Sequence, residues 1–216
     1  MTEIINKIED NKSVLSKLLL VRELAELKIE SMPDVHSIIK SIKHNDDELF
    51  EHIVSVATIS CAIGISFDMR LDELVNLYIG GLLHDNGKEM LNQDILYKPA
   101  SFSLDERQLV EGHCTLGYKR VSKFIKDDII LDIILKHHER LDESGYPNGI
   151  GEKELSLFVR IVAVADIFHA LTSKRCYKVP VEITEALDTI DSMNGLDLTV
   201  VFMLRKLLHI EKRSEN

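Results

Sequence analysis

Histidines that cluster with acidic residues are the first feature of this sequence that could do chemistry. Five of the nine histidines lie beside carboxylates or beside another histidine: His52, His84, His113, His137 and His138. Imidazole and carboxylate form a ligand set that suits Fe, Mn, Zn or Ni better than a structural zinc held by thiolates. A lone histidine is usually a surface residue or a satisfied core residue, and we interpret His36, His44 and His209 in that way. The clustering of the other five raises the hypothesis of a metal site.

The pair His84-Asp85 ends an apolar predicted helix and is followed at once by Asn86-Gly87-Lys88. Two glycines before the pair allow close helix packing, Gly87 permits an unusual turn, and Lys88 can meet a phosphate as a point charge. Taken alone, the pair fits equally well with an ordinary helix end, where a histidine and a lysine interact favourably with the helix dipole. Residues elsewhere in the chain have to decide between a metal site and an ordinary helix end.

Two further features favour a metal site. Neighbouring residues on a helix point about 100° apart, so His137 and His138 can address two metals that lie side by side. Asp166 is a charged residue inside the strongly apolar stretch 161–168. A buried, unpaired carboxylate is unfavourable, so Asp166 needs a partner, and a metal is one. A hydrogen-bonded structural aspartate is the alternative.

The elements that would position these residues are predicted to be helices, because hydrophobic residues recur mostly at helical spacing. The chain is therefore predicted to be all-α. Ser103 and Glu106 form a capping box that marks one helix start, which assigns 92–102 to a connecting loop. A second loop, 142–151, contains four glycine or proline residues. The predicted helices are 34–43, 47–65, 71–85, 104–124, 128–138, 155–173, 182–192 and 198–210.

Residues 1–44 are predicted to form an amphipathic helical segment that precedes the main domain, 45–216. Within 1–29, positions at alternating four- and three-residue spacing could form a two-helix seam, and therefore a homodimer contact. Packing of the same helix on its own domain is the alternative. The seam positions are Ile4, Ile8, Asn11, Leu15, Leu18, Arg22 and Ala25.

Composition limits the function further. The 216 residues carry a net charge of -10, which argues against binding a nucleic-acid polymer, because such proteins neutralise phosphates with clustered Lys and Arg. The three cysteines are far apart and are interpreted as reduced thiols in the cytoplasm. The N-terminus lacks the features of a secretory signal. The longest uncharged run, 53–67, falls short of the roughly 20 apolar residues that span a bilayer, so no membrane insertion is expected.

These motifs, in this order, resemble the HD-GYP domain, over residues 45–208 or so. The resemblance implies an HD-domain helical bundle with a metal cluster in its core. The matching segments are His84-Asp85-Asn86-Gly87-Lys88, His113 with Gly117, His137-His138-Glu139-Arg140-Leu141-Asp142-Glu143-Ser144-Gly145-Tyr146-Pro147, Asp166, Ala170-Leu171-Thr172 and Arg175-Cys176-Tyr177-Lys178.

The resemblance implies two or three divalent metal ions, Fe or Mn, with Asp85 bridging two of them. Glu48, four residues before His52 and so on the same helical face, matches a glutamate that holds a third metal in some members. A surface glutamate in an acidic run is the alternative for Glu48. The complete implied ligand set is Glu48, His52, His84, Asp85, His113, His137, His138 and Asp166.

The resemblance also implies a cyclic dinucleotide substrate. Asp85 and Lys88 would act in catalysis, and Arg175 and Lys178, with Lys88, would bind substrate phosphate. Tyr146 would shape the pocket and could stack on a guanine base. The implied reaction is metal-dependent hydrolysis of cyclic di-GMP, a bacterial second messenger, to linear pGpG, with GMP as a possible further product.

Three positions depart from the family pattern. Glu143 replaces a usual glycine, His169 stands where an aspartate is frequent, and Cys176 replaces a frequent proline. None of them removes an implied metal ligand, so they bear on substrate fit and turnover. The alternatives to the hydrolase are a catalytically weak receptor for cyclic dinucleotides that signals through partners, and an HD phosphohydrolase for another nucleotide such as cyclic GMP-AMP.

Overall fold

The computed structural model of the chain describes residues 7–8, 11–173 and 180–210. Over these residues the chain forms α-helices joined by turns, two short 3-10 helices and loops, with no β-strand, so the all-α prediction is confirmed. The helices are α1 (Lys12–Glu30), α2 (Pro33–Asn45), α3 (Asp47–Ser66), α4 (Leu71–Leu83), α5 (Gln93–Leu96), α6 (Leu104–Glu111), α7 (His113–Val121), α8 (Asp128–Lys136), α9 (Leu157–Thr172), α10 (Ile183–Ser192) and α11 (Leu198–Leu207). The 3-10 helices are Asn86–Met90 and Glu152–Glu154.

The central element is α3, which packs against α1, α2, α4, α9 and α11. Asp46 caps its N-terminus by accepting a hydrogen bond from the Leu49 backbone N–H (2.9 Å). Among the described residues, only α3 is long and apolar enough to cross a membrane, and 72% of its apolar window is buried inside the fold. Burial of that extent is typical of a core helix.

Two glycines let α4 pack closely between α3 and α8. A Cβ atom added at Gly81 would lie 2.7 Å from the Ala57 Cα atom of α3. A Cβ atom at Gly80 would lie 2.5 Å from the Ile133 Cδ1 atom of α8. These contacts confirm that the glycine pair permits close helix packing, and they hold the end of α4, where His84 and Asp85 follow, deep in the bundle.

The N-terminal helix α1 packs on its own chain, against α3 and α4. Its buried face joins the same hydrophobic core as the rest of the bundle. Leu18 and Ala25 of the predicted seam lie on this face, whereas Asn11 is the N-cap and Arg22 is only partly buried. The seam residue Ile4 lies outside the described residues. The buried residues of α1 are Val14, Leu18, Val21, Ala25 and Ile29. The homodimer and the division of the chain after residue 44 stay predictions.

Some predicted helix bounds are wrong. The predicted helix 104–124 is two helices, α6 and α7, separated by Gly112, since glycine stabilises a helix least of the residues other than proline. The short α5 lies inside the predicted loop 92–102. The capping box at the start of α6 is confirmed: the Glu106 backbone N–H donates to Ser103 Oγ (3.2 Å), and the Ser103 N–H donates to Glu106 Oε2 (2.7 Å).

Candidate metal centre

Asp85 is the point on which the predicted ligands converge. It is the second residue after the end of α4 and is 1% exposed. The Nε2 atoms of His113 and His137 lie 3.1 Å and 3.7 Å from its Oδ1 atom. The Nε2 atoms of His52 and His84 each lie 3.3 Å from its Oδ2 atom. Four histidines from separate parts of the chain therefore surround one buried carboxylate.

Backbone carbonyl groups orient three of these imidazole rings. A carbonyl oxygen only accepts hydrogen bonds, so each Nδ1 atom must carry the proton that it donates. The neutral ring then presents an unprotonated Nε2 atom to Asp85, and metal-binding histidines are usually held in this way, with the other ring nitrogen donating to a carbonyl group. The contacts are His84 Nδ1 to the Gly81 carbonyl (2.7 Å), His113 Nδ1 to the Val110 carbonyl (2.6 Å) and His137 Nδ1 to the Ile133 carbonyl (3.0 Å).

This arrangement fits a bound cation. Lone pairs on the imidazole nitrogens face carboxylate oxygens, and acceptors that face acceptors repel each other unless a positive charge lies between them. Consistent with this, His84 Nε2 and Asp85 Oδ1 are buried and have no hydrogen-bond partner among the described residues. His52, His84 and Asp85 together have the spacing of a metal-binding group. The nitrogen and oxygen donor set suits a divalent transition metal.

Asp166 of α9 forms a second edge of the same cluster. Its Oδ1 atom lies 3.1 Å from His52 Nε2, and its Oδ2 atom lies 4.0 Å from His138 Nδ1. Since His52 Nε2 also contacts Asp85, the two carboxylates are joined through one imidazole ring. Asp166, the carboxylate inside the apolar stretch 161–168, thus has imidazole partners within the cluster.

The electrostatics of the cluster keep both aspartates ionised. Burial alone would raise the pKa of Asp85, but the Lys88 ammonium group outweighs it and holds that pKa well below its usual value. Burial is likewise outweighed at Asp166, chiefly by His52, so its pKa is also well below the usual value. Burial lowers the pKa of His137 to about 4, which keeps this ring neutral and able to bind a metal near neutral pH.

Lys88 is positioned by the 3-10 helix that follows Asp85. Its Nζ atom lies 2.5 Å from Asp85 Oδ2. The 3-10 helix packs against α7 so closely that a Cβ atom at Gly87 would lie 2.0 Å from the His113 carbonyl oxygen. The glycine predicted to permit an unusual turn thus permits a close backbone approach, which holds Lys88 beside the cluster.

Two cavities open beside the cluster and share Phe102. The first, of about 450 Å³, is lined by residues that include Glu48, His52, Lys88 and His169. The second, of about 380 Å³, is lined by residues that include Arg107, His138, Arg140 and Tyr146. Glu48 therefore lies on a cavity wall, outside the groups whose spacing fits a metal ion among the described residues.

Tyr146 packs on the cluster. Its ring stacks on the His138 ring with 4.6 Å between centroids and an angle of 28° between planes. The loop that carries it is held by Glu139, which is 2% exposed and accepts hydrogen bonds from the Asn148 N–H (2.7 Å) and the Ile150 N–H (3.2 Å). Burial raises the pKa of the Tyr146 phenol. Arg175 and Lys178, the other predicted substrate contacts, lie outside the described residues.

Two residues that the sequence did not assign to the site belong to its surroundings. His169 is 2% exposed, and its Nδ1 atom lies 2.7 Å from His52 Nδ1. Its spacing of three residues from Asp166 on one helix was a signal that could have found it. Cys114 is fully buried, and its Sγ atom lies 3.4 Å from His113 Nε2. Burial and then Asp85 raise the pKa of this thiol.

The helical bundle and its buried histidine and aspartate cluster define the class of protein. The HD domain family model matches residues 36–200, and the chain belongs to this family. The HD-GYP resemblance expected from the sequence is also confirmed by similar proteins. A cyclic di-GMP phosphodiesterase of Thermotoga maritima is 34% identical over 191 residues, which are 85% of this chain and 52% of that protein.

Other relatives have a related but different named substrate. The 3'3'-cGAMP-specific phosphodiesterase 1 of Vibrio cholerae is 31% identical over 139 residues, which are 64% of this chain and 32% of that protein. Among solved structures, a HDG"Y"P protein from Bdellovibrio bacteriovorus has a TM-score of 0.65 at 22% identity, covering 96% of this chain and 68% of that one, which supports the fold. The chain spans about half the length, or less, of these two curated relatives.

Proposed function

We propose that this chain is a metal-dependent phosphodiesterase that hydrolyses cyclic di-GMP to linear pGpG, with GMP as a possible further product. The observation that carries the proposal is the convergence of four imidazole Nε2 atoms, at 3.1 to 3.7 Å, on the two oxygens of buried Asp85. A helical bundle with a purely structural role has little use for such a site, because well-packed apolar residues of similar volume stabilise a core as well as or better than buried charged groups do.

Two or three divalent ions, Fe or Mn, would be held here. His52, His84, Asp85 and Asp166 would hold one ion, and His113, His137 and His138 would hold a second. Glu48 would contribute to a third ion from the wall of the first cavity. Bound there, such ions would lower the pKa of a water molecule and neutralise charge on the phosphoryl group.

The protein's own groups would bind and orient the substrate. Lys88 reaches both Asp85 and the first cavity, so its ammonium group could donate a hydrogen bond to a phosphate oxygen or to the departing oxygen. Arg175 would grip a distal phosphate in bidentate fashion and Lys178 as a point charge. One face of the Tyr146 ring is stacked on His138. Tyr146 would therefore shape the second cavity, and a substrate base could stack only on the other face of its ring.

The named substrates of the relatives support a cyclic dinucleotide, and 3'3'-cGAMP is the second candidate because cGAMP-specific phosphodiesterases are among them. A cyclic dinucleotide has two bases, and two cavities beside one cluster can each accommodate one. The cytoplasmic location and the absence of a nucleic-acid partner stay predictions that agree with such a substrate.

The test is product analysis with metal-loaded protein on cyclic di-GMP, 3'3'-cGAMP and cyclic di-AMP. We expect linear product to form fastest from cyclic di-GMP. His84→Ala and Asp85→Ala should each lower the rate by about 100-fold or more, since even residues that only hydrogen-bond to a metal ligand contribute roughly 10- to 100-fold. His44→Ala, an exposed histidine on α2, is the matched control and should retain full activity.

Several outcomes would contradict the proposal. Substrate loss that survives His84→Ala or Asp85→Ala would refute the site. A faster reaction with 3'3'-cGAMP would keep the site and replace the substrate. Tight binding without turnover in a fully metal-loaded protein would make the chain a receptor.

A further inference from the structure

Cys114 has surroundings that differ from those of an ordinary buried cysteine. It is the second residue of α7 and is 0% exposed. Its Sγ atom lies 3.4 Å from His113 Nε2, the same nitrogen that lies 3.1 Å from Asp85 Oδ1. Cys61 is equally buried but belongs to the hydrophobic core of the bundle, which Cys114 does not. The thiol of Cys114 therefore faces the donor atoms of the cluster.

The side chains around Cys114 are spaced closely enough to bind one metal ion together. One ligand atom from each of His113, Cys114, His137 and His138 lies within 4.8 Å of every other. A second observation points to a ligand at the same place. Asp85 Oδ1, 1% exposed and without a hydrogen-bond partner among the described residues, is directed at His113 Nε2 and His137 Nε2. A cation between these atoms would be within reach of the sulfur.

We propose that Cys114 is an additional protein ligand of the metal held by His113 and His137. This inference rests on the metal centre of the proposed function and adds a donor of a different kind to it. On binding, the S–H bond breaks, a sulfur–metal bond forms, and the proton leaves to the solvent. A thiolate is a softer donor than imidazole or carboxylate, so it shifts this position towards Zn²⁺, Fe²⁺ and Co²⁺ and away from Mn²⁺.

The experiment is a titration of the reduced, chelator-stripped full chain with Co²⁺ without oxygen. A bound thiolate gives a near-ultraviolet sulfur-to-cobalt charge-transfer band, which nitrogen and oxygen ligands do not give. We expect this band in the wild type and in Cys61→Ala, the matched control for a buried thiol. We expect Cys114→Ala and Cys114→Ser to lose the band while still binding Co²⁺. Their preference for Zn²⁺ over Mn²⁺ should fall by on the order of tenfold.

X-ray absorption of the zinc-loaded wild type needs no variant, so it decides the question even if the Cys114 variants fail to fold. We expect one sulfur neighbour at about 2.3 Å. A metal-loaded wild type with only nitrogen and oxygen neighbours overturns the role of Cys114 and leaves the proposed function standing. A band that survives in Cys114→Ala also overturns it, because another thiol then provides the sulfur. A wild type that binds neither Co²⁺ nor Zn²⁺ overturns the metal centre itself, together with this inference.

Discussion

Glu143 occupies a backbone conformation that favours glycine. Its φ angle is +66°, in the left-handed region, and its side chain is exposed. A non-glycine residue in that region is disfavoured by roughly 1–2 kcal/mol, whereas glycine loses roughly 0.5–1 kcal/mol more chain entropy on folding. Replacing Glu143 with glycine should therefore make the protein more stable than replacing it with alanine, by about 1 kcal/mol.

The comparison between Glu143→Gly and Glu143→Ala isolates the backbone effect, because both variants lose the same exposed carboxylate. Both also keep the turn hydrogen bond that the residue 143 N–H donates to the Arg140 carbonyl (3.0 Å). A difference of about 1 kcal/mol corresponds to roughly 2–4 °C in Tm for a chain of this size. Urea and thermal unfolding of the metal-free proteins measure it. If the alanine variant equals or exceeds the glycine variant in stability, the backbone of this loop is not strained at residue 143.

Two further predictions concern packing and thiol chemistry. Gly87→Ala should lower the free energy of unfolding by about 3 kcal/mol or prevent folding, because the new Cβ atom would meet backbone atoms of α7 that cannot move aside. Gly112→Ala is the control: its Cβ atom would have no contact under 3.1 Å, so the free energy of unfolding measured in urea should change little. Burial raises the pKa of Cys61 to about 12, so at about pH 8 its thiolate fraction is roughly a thousandfold below that of a free thiol. A variant with Cys114 and Cys176 changed to serine should therefore react slowly with a thiolate-specific reagent until it is unfolded, and rapid labelling of the folded variant would contradict the burial.

The pattern of apolar residues predicted helix bounds close to those observed for α3 and α9, which are buried on nearly all sides over much of their length. It failed where tertiary contacts interrupt a helical pattern. The predicted helix through residue 85 ends at Leu83, and the chain turns into a 3-10 helix that packs its Gly87 on α7. Gly87 was a local signal for a turn, but the point at which the α-helix ends depends on the packing of Gly87 against α7, about 30 positions along the chain.

The residue types of the centre were predictable, but its geometry was not. The sequence identified Asp85 and its histidines as candidate ligands, and the structure brings them together around the Asp85 oxygens. It could not indicate that Tyr146 stacks on His138, or that Glu48 lies on a cavity wall. Those contacts depend on how separate helices and loops pack, which spacing within one element does not encode.

The contact between His52 and His169 joins residues 117 positions apart in the chain. Closing so long a loop is entropically unfavourable until α3 and α9 are packed, so the two rings meet only when most of the bundle has formed. A nascent chain that ends before α9 has neither Asp166 nor His169. Uptake of the ion that Asp166 would hold would therefore come late in folding. Full metal occupancy of a preparation would report the fraction of chains that have completed the bundle, before any substrate is added.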